Sequence, residues 1–376
     1  MSERIEIRRS ETFFRNRLLN TVSALVLVGY VSLAPASATD SDHPTVWIEL
    51  GGQMEVMQGA SGPFIAPFMT AITPAPDVYT GDIFGHDQGP ARISLGEEGE
   101  VSFQPENSSW IISAGIRYGR SNNKLHSHQQ GDIAHTPNGV TFGLHSFAPF
   151  ADEKSAFEEN HAIIDFRVGK DVGLGRFGSD GSSVFSLGVR FAQFSSKSAV
   201  DAMGRPVVNV LPAPQHRFVP TFYNYTMAAH AARSFRGIGP SLSWDASAAI
   251  AGNKQNGEVS VDWGINGAVL FGRQKAKIDH TTQAYRLPYT AYANYIGYYY
   301  TKAYTHPHHV TRSRSVVVPN LGGFAGVSVK YPNVKVSLGY RADFFFGAMD
   351  GGIDTAKRTT TGFYGPFASV SIGIGG

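Results

Sequence analysis

The chain contains no cysteine among its 376 residues. This absence excludes a disulfide scaffold, a cysteine-ligated zinc site, an iron–sulfur cluster and a cysteine nucleophile. Charged residues are scarce, at 16% of the chain against about 25% in an ordinary soluble domain. The 32 basic and 30 acidic residues nearly balance, so no basic excess indicates nucleic acid as a partner.

The N-terminal segment has the pattern of a secretory signal peptide. Arg15 and Arg17 precede an apolar run from Val22 to Leu33, and Ala36-Ser37-Ala38 supplies the small residues of a signal-peptidase site. The run is shorter than the about 20 residues that a membrane helix needs. No later apolar stretch is long enough either. We predict that residues 1–38 are a signal peptide and that residues 39–376 form one domain.

Apolar and polar residues alternate with a period of two, which is typical of β-strands. The alternation is clear in Trp110–Tyr118, Ile164–Val168, Phe185–Phe191 and Val334–Phe344. A register slip of one residue would turn each apolar face to the other side of the sheet, so the pattern fixes the faces.

The polar face of these strands is rich in glycine and small residues and carries sparse charges of both signs. A soluble sandwich is the alternative, but its polar face would usually be rich in Lys, Glu and Thr. The strands are also long enough for the tilted segments of roughly 9–11 residues that cross a bilayer. We therefore predict an all-β fold, a transmembrane antiparallel up-and-down β-barrel of about 10–12 strands.

Ten candidate strands follow from the alternation. They are Thr45–Met54, Ile93–Gln104, Ser109–Arg120, His161–Leu174, Ser183–Ser195, Phe235–Ala251, Val259–Lys275, Val316–Tyr331, Val334–Phe346 and Phe363–Ile374. Short turns and long connections alternate between them, as in barrels with short periplasmic turns and long extracellular loops. Thr221–Ala229, or part of the first long connection, would raise the number of strands to twelve.

Several glycine–aromatic segments carry a resemblance to a known family. They are Asp165–Gly188, Gly188–Ala192, Phe235–Pro240 and Gly264–Gly272, within residues 160–275. In these segments the chain resembles the Legionella-type major outer membrane proteins. The resemblance implies a pore-forming outer-membrane barrel.

Charged residues on the polar face are predicted to line the lumen. They are Arg117, Asp165, Arg167, Arg190, Asp245, Asp262, Lys335, Arg341 and Asp343. Because an unpaired charge in a dry interior is costly, these groups must meet water or pair. We expect a mixed-charge ladder that narrows the lumen and gives weak ion selectivity. The alternative is that the pairs plug and rigidify the barrel.

One connection is unusually rich in tyrosine. Tyr292, Tyr295, Tyr298, Tyr299 and Tyr300 are candidates for surface recognition, because tyrosine gives a large contact area and a hydroxyl at low entropic cost. The alternative is that these rings pack over the barrel mouth. The histidines around Pro307 and those from His126 to His135 could bind a metal, but loop histidines in contact with water are the commoner outcome. We assign no metal site, cofactor or catalytic residues.

The leading hypothesis for function is a porin-like channel for passive diffusion of small polar solutes. The alternative is a narrow, closed barrel with a structural or adhesin-like recognition role through its long loops, because about eight strands leave an interior just filled by side chains. We do not expect an enzyme. The predicted location is the cell outer membrane, with outer-membrane lipid, lipopolysaccharide and the barrel-assembly machinery as partners.

Overall fold

A computed structural model of the chain describes residues 46–58, 93–106, 108–130, 150–172, 182–205, 222–253, 256–286, 289–292, 295–298, 302–353 and 355–375. The predicted signal peptide lies outside these residues. None of the described residues belongs to a helix long and apolar enough to cross a membrane.

Ten strands close into one antiparallel barrel, which confirms the predicted fold. They are β1 (Val46–Gln58), β2 (Ile93–Phe103), β3 (Trp110–Gln130), β4 (Phe150–Asp171), β5 (Ser182–Arg205), β6 (Phe222–Asn253), β7 (Gly257–Arg286), β10 (Lys302–Lys330), β11 (Val334–Asp350) and β12 (Arg358–Ile374). Two four-residue strands, β8 (Tyr289–Tyr292) and β9 (Tyr295–Tyr298), pair only with each other among the described residues.

Each barrel strand pairs with its neighbours in sequence, and the first and last strands close the ring. β12 joins β1 from Val46↔Ile374 to Gln58↔Gly362. Closure gives every strand a partner on both sides, which a β structure in lipid needs because hydrocarbon cannot satisfy an open edge. The strand ends that border 104–109, 172–181, 254–256 and 331–333 lie at one end, here called the turn end. The strand ends that border 59–92, 131–149, 206–221, 287–301 and 351–357 lie at the other, here called the loop end.

The outer face of the barrel is apolar near the turn end. Large apolar side chains stand exposed there on successive strands, among them Leu50, Leu95, Ile112, Phe166, Leu187, Ile238, Phe271, Leu321, Leu338 and Ile372. Because such a surface is unfavourable in water, it is the lipid-facing band of a transmembrane barrel. At the turn end the Lys170 ammonium lies 5.6 Å from the ring centre of Trp110, an amphipathic ring suited to the membrane interface.

Six strands continue beyond this band at the loop end. β3, β4, β5, β6, β7 and β10 have between 21 and 32 residues, whereas β1, β2, β11 and β12 have between 11 and 17. The extra lengths form what we call the extended sheet, residues 121–130, 150–160, 193–205, 222–236, 273–286 and 302–315. The predicted bounds of these six strands were therefore too short. Of the predicted further strand Thr221–Ala229, residues 222–229 form the start of β6, and Thr221 lies outside the described residues.

The loop end of β11 turns inward through a bulge. Gly347 has a φ of 69°, a backbone conformation that other residues rarely adopt, and the β11–β12 register shifts between Phe345 and Met349. The regular alternation of faces stops there. Ala348 and Met349 are consequently both buried, with 0% and 2% of their surface exposed.

The two outer-face regions of one strand should respond differently to the same charge. Leu187 lies in the lipid-facing band of β5 and is 63% exposed, so Leu187→Arg should lower the free energy of unfolding by about 2–4 kcal/mol. Ala199 is on the same face of β5 but in the extended sheet, beside His230, so Ala199→Arg should have little effect. Urea unfolding of the protein in lipid vesicles measures both variants. Equal losses would contradict the position of the band.

Candidate functional site

The interior of the barrel is organised around Arg190 on β5. Its guanidinium donates two hydrogen bonds to the Asp165 carboxylate, at 2.7 and 3.0 Å. It also donates to the side-chain carbonyls of Asn266 on β7, at 2.7 Å, and Asn320 on β10. β7 and β10 do not neighbour β5 in the barrel, so Arg190 reaches across the lumen. Only 3% of its surface is exposed.

Arg117 on β3 ties the same group to the opposite wall. It lies 2.5 Å from Asp343 on β11 and 4.0 Å from Asp165. Asp343 is 1% exposed, and its other oxygen is 3.9 Å from Arg190. We call Arg117, Asp165, Arg190, Asp343 and the two asparagines the central ion network. Two cations and two anions balance in it, which is the condition under which buried charges are tolerated.

Three more ion-pair groups cross the lumen nearer the turn end. Arg167 on β4 lies 2.5 Å from Glu100 and 3.7 Å from Asp245. Lys335 on β11 lies 2.8 Å from Asp262 on β7.

Arg341 on β11 forms the third of these groups, with Glu98 on β2, and its guanidinium lies 4.6 Å from the ring centre of Phe367. Each group joins strands that are not neighbours, so the interior is crossed at several levels.

The structure places all nine predicted lumen residues on the inner side of the strands and brings them into these groups. Asp165 and Arg167, two residues apart on β4, do not pair with each other; each pairs with a residue from another strand. The same holds for Arg341 and Asp343. The charges therefore pair across the barrel as well as along its wall.

A layer of phenylalanines crosses the lumen on the loop-end side of the network. Phe194 lies 4.6 Å from Phe345 and 5.4 Å from Phe363 between ring centres, and stacks at 5.7 Å on Phe235. These four rings come from β5, β6, β11 and β12, and none is more than 5% exposed. We call them the phenylalanine layer. It is apolar, packed and continuous from one wall to the other.

His161 and Glu55 sit at the edge of this layer. The His161 ring lies 4.0 Å from Phe363 between centres, and its Nδ1 atom is 3.5 Å from the Glu55 carboxylate. Ser94 donates a 3.1 Å hydrogen bond to that carboxylate. His161 is the first residue of the predicted strand His161–Leu174, whereas in the structure it lies within β4 and is 4% exposed.

The connection between β11 and β12 is anchored to the interior by Arg312. Arg312 on β10 lies 2.9 Å from Asp350 and donates to the carbonyls of Gly352, at 2.9 Å, and Ile353, at 2.6 Å. The Ile353 side chain packs on an apolar cluster inside the extended sheet that includes Ala229. We call Arg312, Asp350 and residues 351–353 the Arg312 latch. It holds this connection against the interior.

Asp350 is an ordered part of the latch. Its second oxygen accepts hydrogen bonds from the amides of Gly352, at 3.1 Å, and Lys357, at 3.0 Å. Burial raises the pKa of Asp350, but the Lys357 amide and the Arg312 guanidinium outweigh burial and bring it below its ordinary value. The carboxylate is therefore charged near neutral pH, as the latch requires.

A polar cavity of about 170 Å³ lies at the turn end of the lumen. Glu49, Asp245, Asp262, Lys335 and Arg341 are among its lining residues. Charges of both signs face it. The cavity is therefore suited to water and small ions at this end of the lumen.

The tyrosine candidates are only partly described. Tyr292, Tyr295 and Tyr298 belong to the β8–β9 hairpin, in which Tyr292 pairs with Tyr295. Tyr299 and Tyr300 lie outside the described residues. A recognition role for these five residues stays a prediction.

The loop-end histidines engage carboxylates. His126 and His128 lie 3.1 and 3.2 Å from Asp152, and these bonds lower the pKa of that carboxyl. His309 likewise bonds to Asp279 and lowers its pKa. Within the described part of the chain, no three histidine or carboxylate side chains are grouped as metal ligands.

Several partners of the predicted charges were not predicted from the sequence. Glu98 and Glu100 lie on the inner face of β2, and Asn266 and Asn320 hold Arg190. The glutamates carried a signal, because they alternate with the apolar Val101 and Phe103 on the outer face. Asn266 and Asn320 carried no such signal. A neutral amide on a polar face does not require an ionic partner, so the sequence does not indicate that these two residues bind Arg190.

Comparisons with known proteins give the following. No family model matches the chain, and no curated protein matches it in sequence. Among solved structures, it is similar to the transport unit of the autotransporter AIDA-I from Escherichia coli, with 8% identity over 94% of this chain and 97% of that one and a TM-score of 0.24.

Two further similarities are weaker. The CymD monoaromatic hydrocarbon channel has 8% identity over 89% of this chain and 90% of its own, with a TM-score of 0.23. The Pseudomonas putida toluene transporter TodX has 11% identity over 89% of both chains, with a TM-score of 0.18. At such values, what those proteins transport carries no argument about this chain, and the fold rests on its own barrel closure.

Removing Arg190 should test the central ion network. Arg190→Ala leaves Asp165 and Asp343 buried with one cation fewer, so the free energy of unfolding should fall by about 3–5 kcal/mol. Arg120→Ala, which removes an exposed arginine on the outer face, should cost less than about 1 kcal/mol. Urea unfolding followed by tryptophan fluorescence gives both values. A loss for Arg190→Ala as small as that for the control would mean that the network does not hold the interior.

Proposed function

We propose that the chain is an outer-membrane β-barrel with a closed lumen that presents its extended sheet at the cell surface for recognition. The observation that carries this proposal is the phenylalanine layer, whose buried rings span the lumen. A barrel of ten strands is only slightly wider than one of about eight, whose interior side chains fill. A narrow interior is thus expected, and the phenylalanine layer fills it at one level.

The closing layers act in series. A solute that enters at the turn end would meet the central ion network first and then the phenylalanine layer. Passing the network means separating buried ion pairs, and passing the layer means displacing close-packed rings. The Arg312 latch then holds a further segment over the interior on the loop-end side. These obstacles favour the closed-barrel alternative over the porin-like channel.

The extended sheet supports the recognition role. It carries six strands beyond the lipid-facing band, which a barrel that only closed the membrane would not need. Its outer face is polar and includes Lys124, Lys154, Lys277 and Thr311, all exposed. Three of the long connections, 131–149, 206–221 and the tyrosine-rich 287–301, join its strands. We place the sheet and these connections outside the cell.

A gated channel is the second candidate. The polar cavity at the turn end favours it, because its mixed charges already resemble the entrance of a pore. Opening would require the latch and the phenylalanine layer to move together. The resemblance to pore-forming outer membrane proteins also supports this candidate.

Conductance in planar bilayers separates the two candidates. The purified, heat-modifiable protein should give no channel steps, because the lumen is closed by layers in series. Stepwise conductance would contradict the closed barrel and favour the channel. In that case Arg190→Ala and Arg341→Ala should shift the reversal potential, because both charges would line the conducting path.

Labelling of single cysteines tests the presentation of the sheet. The chain has no cysteine, so Lys277→Cys on the extended sheet and Asn333→Cys at the turn end each introduce a unique thiol. A membrane-impermeant maleimide should label Lys277→Cys on intact cells and Asn333→Cys only after the outer membrane is permeabilised. The reverse pattern would place the extended sheet in the periplasm and overturn the recognition role.

A further inference from the structure

Two arginines stand directly opposite each other at the edge of the lipid-facing band. On the outer face, Phe191, Ile238, Phe271 and Val317 form the last apolar row across β5, β6, β7 and β10. The next row toward the loop end is Gln193, Arg236, Arg273 and Ser315. The arginines therefore lie at the height where hydrocarbon gives way to lipid headgroups.

The following row adds a third cation. It consists of Ser195, Ser234, Lys275 and Ser313, so Lys275 has a serine on each side. Arg236, Arg273 and Lys275 are all exposed. Three cations and several hydroxyls thus share a patch of two rows on two neighbouring strands.

The hydrogen bonds of the arginines leave most of their donors pointing outward. Arg236 Nε donates to the Gln193 side chain at 3.2 Å, and Arg273 Nε donates to the Ser313 hydroxyl at 2.7 Å. In the part of the chain that the structure describes, the terminal nitrogens of both guanidiniums make no hydrogen bond. No carboxylate of those residues forms an ion pair with Arg236, Arg273 or Lys275.

Such an arrangement is unfavourable by itself. Like charges directly opposite each other on a sheet are destabilising, and two guanidiniums here are cross-strand neighbours. A phosphate oxygen bonded to both arginines would relieve this repulsion, because arginine forks match phosphate geometry. The Ser234 hydroxyl beside the cations would donate to the same group, whereas the Ser313 hydroxyl donates to the Gln274 carbonyl at 3.4 Å and orients Arg273.

The adjoining strands β3, β4 and β5 show the contrasting arrangement at a similar position. Arg120 on β3 lies 3.3 Å from Glu158 on β4, and Lys197 on β5 lies 3.9 Å from the same carboxylate. There two cations share an anion that the chain provides. On β6 and β7 no carboxylate of the described residues pairs with the cations. The height of these residues in the barrel therefore does not by itself account for a group of cations without an anion.

We propose that Arg236, Arg273 and Lys275, with Ser234, form a binding site for a phosphate group of an outer-leaflet lipid. The site lies immediately above the last apolar row, so the acyl chains of the bound lipid would lie against Phe271 and Ile238. This inference rests on the proposed outer-membrane orientation, in which the outer leaflet contains lipopolysaccharide. A free phosphate has the same headgroup chemistry but no acyl chains to place on that apolar row.

The experiment measures binding of lipid A to the full-length folded protein in detergent, by native mass spectrometry and by titration of tryptophan fluorescence. The probes are lipid A with both phosphates, the same lipid after dephosphorylation, and inorganic pyrophosphate. The test variant is Arg236→Gln/Arg273→Gln, and the matched control is Arg120→Gln/Lys197→Gln, which also removes two outer-face cations. Heat-modifiable migration establishes that each variant is folded.

The phosphorylated lipid should bind the wild type, and the test variant should bind it about tenfold more weakly or worse. The control should keep most of the affinity, and the dephosphorylated lipid should bind the wild type weakly. Arg236→Lys/Arg273→Lys should retain part of the affinity, because it keeps the charges and loses the forks. Added salt should weaken wild-type binding more than that of the test variant.

Three results would overturn the site. They are an unchanged affinity in the test variant, an equal loss in the control, and equal binding of the dephosphorylated lipid. If pyrophosphate bound as tightly as lipid A, the ligand would be a soluble phosphate and the lipid site would be wrong. Binding is measured on the purified barrel and does not depend on the orientation of the protein in the cell. A failure to bind lipid A would therefore contradict the site without contradicting the orientation, which the cysteine labelling tests. A wrong orientation would likewise leave the measured binding unchanged.

Discussion

The need to satisfy the backbone in lipid governs the rest of this structure. An open sheet edge in hydrocarbon has no hydrogen-bond partners, so the strands must close into a ring. With ten strands that ring is narrow, and the side chains on its inner face are pressed together. A charged inner side chain such as Arg190 then has to find partners across the lumen. Closure of the backbone thus leads to closure of the interior.

The strand faces and the number of strands could be predicted from sequence, because alternation with a period of two is a local property. The loop-end limits of β3 to β7 and β10 could not. The apolar outer residues that define the pattern stop where the lipid stops, and beyond Ile238 and Phe271 the outer face is polar. A strand that continues into water therefore loses the pattern by which it was recognised.

The candidate site could also be predicted only in part from the sequence. The inward direction of Arg190 and Asp343 follows from the alternation, but their pairing follows from the tilt and stagger of the ring. Phe345 and Phe363 show a second reason. They lie on the inner face, where a polar residue was expected, and so interrupt the regular pattern at the place where the lumen is closed.

The strand lengths have a consequence for how the barrel is made. β6 and β7 are joined by a short connection and pair along nearly their whole length, so their contacts are local and can form early. The seam of β1 and β12 has far fewer paired residues, and its side-chain bond between Ser371 and Glu49 joins positions 322 residues apart in the chain. Closing so large a loop costs more entropy and returns fewer contacts. We therefore expect the ring to be completed last at this seam, after the strands that follow one another along the chain have paired.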